Sequence, residues 1–253
     1  MWRHSVAVAA IDARILWKDP APVAVMIVLP LLFVPFFAPG ASAQLATAGR
    51  VGVDGAAYAV PSLAVLFALL CVQQVIGALY RDRQWRTWDR LRASPAPRSA
   101  ILVGKSLTAL AAQAAQLLVV LGGGAVLFGF RPRGDVPALI LVAVLFATVM
   151  VALGLVLFSL FRSDVHALVV CNIVAMVMAG LGGAFGPVTG LPAAMQSAAL
   201  ASPAYWAIDA MTSLSLDGAG VVDVLPAVAI LMLWTVGLVA FAALRLRRRR
   251  EGS

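Results

Sequence analysis

The chain has 253 residues, of which 62% are hydrophobic and 12% charged, with a mean hydropathy of +0.98 and a net charge of +8. A soluble domain is about a quarter charged and about half apolar. The composition therefore excludes a soluble globule, a disordered tail and a secreted disulfide scaffold, and leaves an all-α polytopic membrane protein. The two cysteines, Cys71 and Cys171, each lie in a long apolar run and have no metal-ligand spacing.

In chain order, the first predicted element is an interfacial helix over residues 2–18. Trp2, Val6, Ala9, Ala13, Leu16 and Trp17 share one face at the helical period, and Val8, Ile11 and Ile15 form a second stripe. Arg3, Arg14 and Lys18 lie between the two, so that Trp2, Arg14, Trp17 and Lys18 suit the headgroup boundary. A loosely ordered tail is the alternative. Asp19-Pro20 ends the element.

Six stretches then supply the roughly 20 apolar residues that a spanning helix needs: 21–39, 58–79, 107–130, 137–161, 165–185 and 224–244. Pro30 and Pro35 predict a kink in the first. Ala41-Ser42-Ala43 resembles a signal-peptidase site, but the run before it is longer than the roughly 7–15 residues of a signal core. An uncleaved first span is expected. With the N-terminus inside, sixteen of the nineteen Lys and Arg fall on inner segments and only Arg50, Arg131 and Arg133 outside. That bias predicts both termini in the cytoplasm.

The inner segment between spans two and three is rich in arginine. Trp85, Trp88 and Leu91 recur every third residue, making an apolar stripe on a short helix over 81–95. Asp82 and Arg86 have i, i+4 spacing. Pro95 and Pro97 stop this helix, and Ser99 can cap the next. The stripe reads as ordinary positive-inside charge at the headgroups or as a docking helix for a cytoplasmic partner. Nucleic-acid binding is the least suited reading for so short a hairpin between spans, and no nucleic-acid partner is expected.

Spans four and five form a tight hairpin through Arg162-Ser163-Asp164. Gly182 and Gly186, four apart at the end of span five, form a loose small-residue contact motif. The outer segment 186–220 is too apolar for a plain loop, and its Pro187, Pro192 and Pro203 divide it into short helices over 191–200 and 204–216. Both are too short to span. They are expected to lie on or dip into the outer leaflet, with Tyr205 and Trp206 in the aromatic belt.

Candidate chemistry is sparse. Ser99 to Ser106, ending Gly104-Lys105-Ser106, imitates a phosphate-binding loop but lacks its first glycine and the preceding strand. No cofactor is expected on this chain. His4 and His166 are the only histidines, and no HExxH occurs. The acids sit in loops or at span ends, apart from Asp12 and Asp19 in the N-terminal segment. A proton- or ion-coupled carrier usually places an ionisable group at mid-membrane. The polar residues inside the spans are Gln73 and Gln74, Gln113 and Gln116 on one face of span three, and Asn172 in span five. They bond between helices or line a path.

The order of these elements, together with Arg83-Gln84-Trp85-Arg86-Thr87-Trp88-Asp89-Arg90-Leu91, Ser94-Pro95, Leu102-Val103-Gly104-Lys105, Tyr58-x-x-Pro61 and Ser202-Pro203-x-Tyr205-Trp206, resembles the membrane subunit of ABC-2 type exporters of the drug-resistance kind. The resemblance implies a bacterial plasma-membrane permease that moves a hydrophobic or amphipathic drug, lipid or glycolipid outward. It also implies a cytoplasmic ATPase dimer that holds ATP and Mg, and a second permease copy, identical or related. Arg83, Gln84, Trp85, Arg86, Thr87, Trp88, Asp89 and Leu91 would form the helix that docks on the ATPase. Gln84 stands where the family pattern has Glu, and Arg86 where it has Gly, so that contact is altered or has moved to Asp82 or Asp89. A secondary carrier or channel, and a membrane-embedded enzyme or assembly factor, are the alternatives.

Overall fold

The computed structural model describes residues 9–14, 18, 21–47, 49–50, 52–84 and 98–251. Residues 9–14 are helical. The long elements are α1 (Ala21–Thr47), α2 (Ala56–Gln84), α3 (Arg98–Phe128), α4 (Val136–Leu160), α5 (Asp164–Gly182) and α8 (Leu225–Glu251). Between α5 and α8 come a 3-10 turn (Val188–Gly190) and two short helices, α6 (Ala193–Ala199) and α7 (Pro203–Leu216). The six long helices are long and apolar enough to cross a membrane, and among the described residues no strand is present. The protein is an all-α polytopic membrane protein.

Hydropathy marks the greasy part of a helix and not its ends. α1 continues to Thr47, past the predicted end at residue 39, because the segment after Pro39 is rich in alanine and keeps its backbone bonded. The helix runs through Pro30, Pro35 and Pro39. The signal-like Ala41-Ser42-Ala43 is one of its turns, with Ala41 buried and Ser42 Oγ accepting the Gly55 N–H at 2.9 Å. α3 already includes Arg98 and Ser99, so Ser99 lies inside the helix and is not its cap. α2 passes Tyr80 without a break, so residues 81–84 prolong the spanning helix instead of opening a separate one.

We call the end of the bundle that holds residues 9–14, Tyr80 and Phe161 the near end, and the end that holds Tyr58, Arg50 and the short helices the far end. α2 and α4 are largely buried, whereas α1, α5 and α8 expose most of their apolar surface. α2 packs against α1, α3, α4, α5 and α7. Two tyrosine hydroxyls tie it down. Tyr58 Oη donates to Gly183 O at 2.7 Å at the far end, and Tyr80 Oη donates to Phe161 O at 2.8 Å at the near end. The two residues stand about 33 Å apart along the helix at a rise of about 1.5 Å per residue, close to the ~30 Å of a bilayer's hydrocarbon core. Because Gly183 O also accepts the Gly186 N–H, Tyr58→Phe should cost only about 1 kcal/mol. Thermal unfolding in detergent measures it.

α7 is the surprise of the far end. Ten of its fourteen residues are buried, and it wedges among α2, α4, α5 and α8. The turn before α4 is stitched to its C-terminal end by Arg133 N–H to Ser215 O, Gly134 N–H to Leu214 O and Asp135 N–H to Ala219 O. α6, by contrast, buries only Ala199. α5 ends where Gly183 takes a left-handed φ of 86° and the Ala184 N–H closes back on Ala179 O at 2.9 Å. Gly182 and Gly186 are therefore not neighbours on one helical face. Gly182 abuts Ala204 and Tyr205, and Gly186 abuts Gln44.

Candidate functional site

Three polar arrangements stand out against the apolar bundle. The first lies within the spans. Gln113 Nε2 donates to Ala68 O, and Gln116 Nε2 to Met26 O at 3.4 Å. Both glutamines are almost fully buried, so they tie α3 to α2 and α1. Gln74 Nε2 does the same toward Pro22 O at 3.1 Å. Gln73 and Asn172 differ. Gln73 Nε2 donates to Asn172 Oδ1 at 2.7 Å on the open side of α2 and α5. Val165, Val169, Ile173, Met176 and Val177 surround Asn172 on the exposed face of α5. Asn172 lies about 12 Å along α5 from its start, near mid-depth of a bilayer. An amide pair there is unsuited to lipid and suits a protein partner or a wet path.

The second arrangement is at the near end. Lys105 is 7% exposed, and its Nζ lies 3.2 and 3.4 Å from the Asp12 carboxylate oxygens and 3.4 Å from Ala78 O. Thr108 Oγ1 donates to Ala9 O at 3.2 Å. The N-terminal helix is thus fastened to α3 by a buried charge pair. The phosphate-loop look-alike at Gly104-Lys105-Ser106 is a turn of α3, its lysine already engaged. Arg14 and Lys18 are exposed. Trp2 and Trp17 lie outside the described residues. So do Trp85, Arg86, Thr87, Trp88, Asp89 and Leu91; Arg83 and Gln84 are described only as backbone at the end of α2.

The third is a chamber of about 630 Å³ at the far end, walled by the α1–α2 turn, the 3-10 turn, α6 and α7. Arg50 bridges it to Asp217 with two bonds of 2.8 and 3.1 Å. Asp209, Tyr205, Gln196 and Thr189 also face it. Asp209 opens into the chamber, exposed on its open side, and the walls take away part of its hydration. That loss, with repulsion from Asp217 and against attraction from Arg50, pushes its carboxyl above the usual range. Tyr205 stacks edge-on against Trp206, whose Nε1 donates to Leu200 O at 2.9 Å, so the aromatic pair braces α6 to α7. Pro203 occupies the first turn of α7, behind Ser202.

Sequence reading named Pro203, Tyr205 and Trp206 but missed Asp12, Lys105, Arg50, Asp209 and Asp217. A lone acid in the N-terminal helix and one of only two lysines in the chain were the available signals for the first pair. Nothing in the local pattern signals a partner 167 residues away for Arg50. Among the described residues, no three His, Cys, Asp or Glu side chains gather as metal ligands.

Residues 41–244 match the family model described as ABC-2 family transporter protein. The linearmycin resistance permease protein LnrN of Bacillus subtilis (strain 168) is 27% identical over 179 residues, which cover 71% of this chain and 46% of that protein. The chain thus spans about half the length of that curated relative. With the family match running from the end of the first span to the last, and six membrane-length helices among the described residues, the chain is a multi-pass membrane protein that belongs to the ABC-2 family of transporter proteins.

Proposed function

We propose that this permease is the membrane half of an ATP-driven exporter, carrying a hydrophobic or amphipathic compound out across a bacterial plasma membrane. ATP and Mg bind a separate cytoplasmic ATPase dimer, and two permease copies, identical or related, enclose the path. The near end is cytoplasmic, as the crowding of basic residues onto its segments supports. The similarity to a protein named for linearmycin resistance supports a toxic cargo.

The observation that carries the reading of the path is the Gln73–Asn172 pair, bonded at 2.7 Å yet open to the outside of a single subunit. Isolated in hydrocarbon, the amide groups left over would cost free energy. Facing a second copy across a wet seam, they are solvated and can bind polar parts of the cargo. The coupling argument is mechanical. Segment 85–97 joins the end of α2 to the start of α3, so an ATPase that grips Arg83, Gln84, Trp85, Arg86, Thr87, Trp88, Asp89 and Leu91 pulls on the helix against which α1, α3, α4, α5 and α7 pack. ATP binding then shifts the permease between two states through differential affinity for them.

The test is reconstitution of the permease with a cognate ABC ATPase. Cargo-stimulated ATP hydrolysis and ATP-dependent efflux from proteoliposomes are the readouts. Trp85→Ala with Trp88→Ala should leave insertion intact and lower stimulated hydrolysis by roughly tenfold or more, the loss of an interface anchor worth about 2 kcal/mol. Uphill flux without any ATPase, or coupling unchanged in the double variant, would overturn the assignment.

A further inference from the structure

The far-end chamber has features that outward transport as such does not require. Arg50 and Asp217 neutralise each other, which leaves Asp209 as the surplus charge; among the described residues its carboxylate makes no ion pair. The wider surface is biased the same way, with Asp54, Asp135, Asp209, Asp217 and Asp223 against Arg50, Arg131 and Arg133, so local cations are enriched. Next to the chamber, and sharing Tyr58 with it, is a slot of about 230 Å³ between α1 and α2, walled by Phe36, Phe37 and Ala59. Ser62 lines this slot at 1% exposure. Its Oγ lies beside the Tyr58 hydroxyl, which donates to Gly183 O. A polar recess with one uncompensated negative charge therefore adjoins a mostly apolar recess.

We propose that the chamber binds the ammonium head of an amphiphile at Asp209, with the apolar body of the same molecule in the slot between α1 and α2. A cation at Asp209 offsets the hydration that the walls remove and the repulsion from Asp217. The two recesses together select a molecule with one charged end and one greasy end, and an anionic head is repelled by the same surplus. This deepens the export reading by naming a cargo class, and it rests on that reading for the direction of movement. The binding itself needs no ATP.

Ammonium heads come from two sources, a lipid such as phosphatidylethanolamine or a free amine. The test uses the full chain carrying Ser197→Cys in nanodiscs of phosphatidylglycerol, which has no ammonium. Ser197 is exposed on the chamber wall, while Cys71 and Cys171 are buried, so an impermeant maleimide reports on position 197. Dodecylamine should slow labelling, and dodecanol and dodecanoic acid at the same concentration should not. Asp209→Asn should weaken the protection by dodecylamine roughly tenfold, the loss of one charge-assisted contact, and Asp209→Glu should retain it.

A readout on the parent protein needs no variant at Asp209. The groups facing Asp209 are Arg50, Asp217, Tyr58 and Tyr205. Protection by dodecylamine should fade as pH drops through the raised titration of Asp209, while the alkylamine, with a basicity near the ~10.4 of lysine, stays charged. Equal slowing by dodecanol, full protection persisting in Asp209→Asn, or a flat pH profile would each overturn the proposal. Discs containing phosphatidylethanolamine separate the sources: slow labelling without added amine assigns the head to lipid, and unchanged labelling assigns it to a free amine. Failure here leaves ATP-coupled export standing, and failure of coupled export leaves the equilibrium binding result intact.

Discussion

Valine in place of Gly182 should unseat α7 and cost the protein about 3 kcal/mol, the upper end of the ~1–3 kcal/mol of ordinary overpacking. A Cβ at this position would stand 2.8 Å from Ala204 Cβ and 3.1 Å from both Ala204 C and Tyr205 N. Two of those three atoms are backbone in the first turn of α7, so no side chain can swing aside to make room. The helix itself has to move, taking Tyr205 and Asp209 with it and deforming the chamber. Gly180, one half-turn earlier on α5, faces open space, and Gly180→Val is the control. Thermal unfolding in detergent should show a clear loss for the first variant and little change for the second. Equal tolerance at both positions would show that the α5–α7 contact is loose.

Asp12→Asn should destabilise the near end by an amount near the low end of the ~3–5 kcal/mol expected when a buried pair loses one partner. Lys105 is 7% exposed, while Asp12, at 20% side-chain exposure, still reaches water. Adding Lys105→Met to Asp12→Asn removes the ammonium that faced this carboxylate and should restore part of the loss, because a buried charge no longer has to be desolvated. The comparison of single and double variants, by thermal unfolding, separates the charge effect from local packing. If the double variant is no better than the single one, Lys105 is held by its other contacts and the pair with Asp12 is incidental.

These two sites show where sequence reading succeeds and where it stops. The six spanning helices were legible because burying roughly 20 apolar residues requires a run of that length, and such runs survive any error about their ends. The ends themselves were misplaced wherever helix outlasted grease, as in the alanine-rich turn before Thr47 and the polar first turns of α3. The short far-end helices were legible from their prolines, but the depth of α7 was not. Its burial comes from neighbours distant in sequence, and a fourteen-residue helix with moderate apolar content fits a surface as well as a core. The polar pairs were harder still. Asp12 and Lys105 stand 93 residues apart, and Arg50 and Asp217 167 residues apart. Neither pair leaves a spacing signature, because through-space electrostatics has no sequence period. The inner glutamines were legible as polar positions in apolar helices, but only the fold separates Gln113 and Gln116, turned into neighbouring backbones, from Gln73, turned outward with Asn172.

The two tyrosine tethers on α2 have a mechanical corollary. A rod clamped at both ends cannot slide like a piston: an axial displacement of even one residue's rise, about 1.5 Å, would stretch the 2.7 Å bond to Gly183 and the 2.8 Å bond to Phe161. Under the proposed function, work delivered to its near-end tip turns into tilt, with α4 and α5 swinging along because the clamps hold onto their ends. On that reading α2 serves as a lever with its load already attached, and the pivot lies wherever the apolar packing along α2 is tightest.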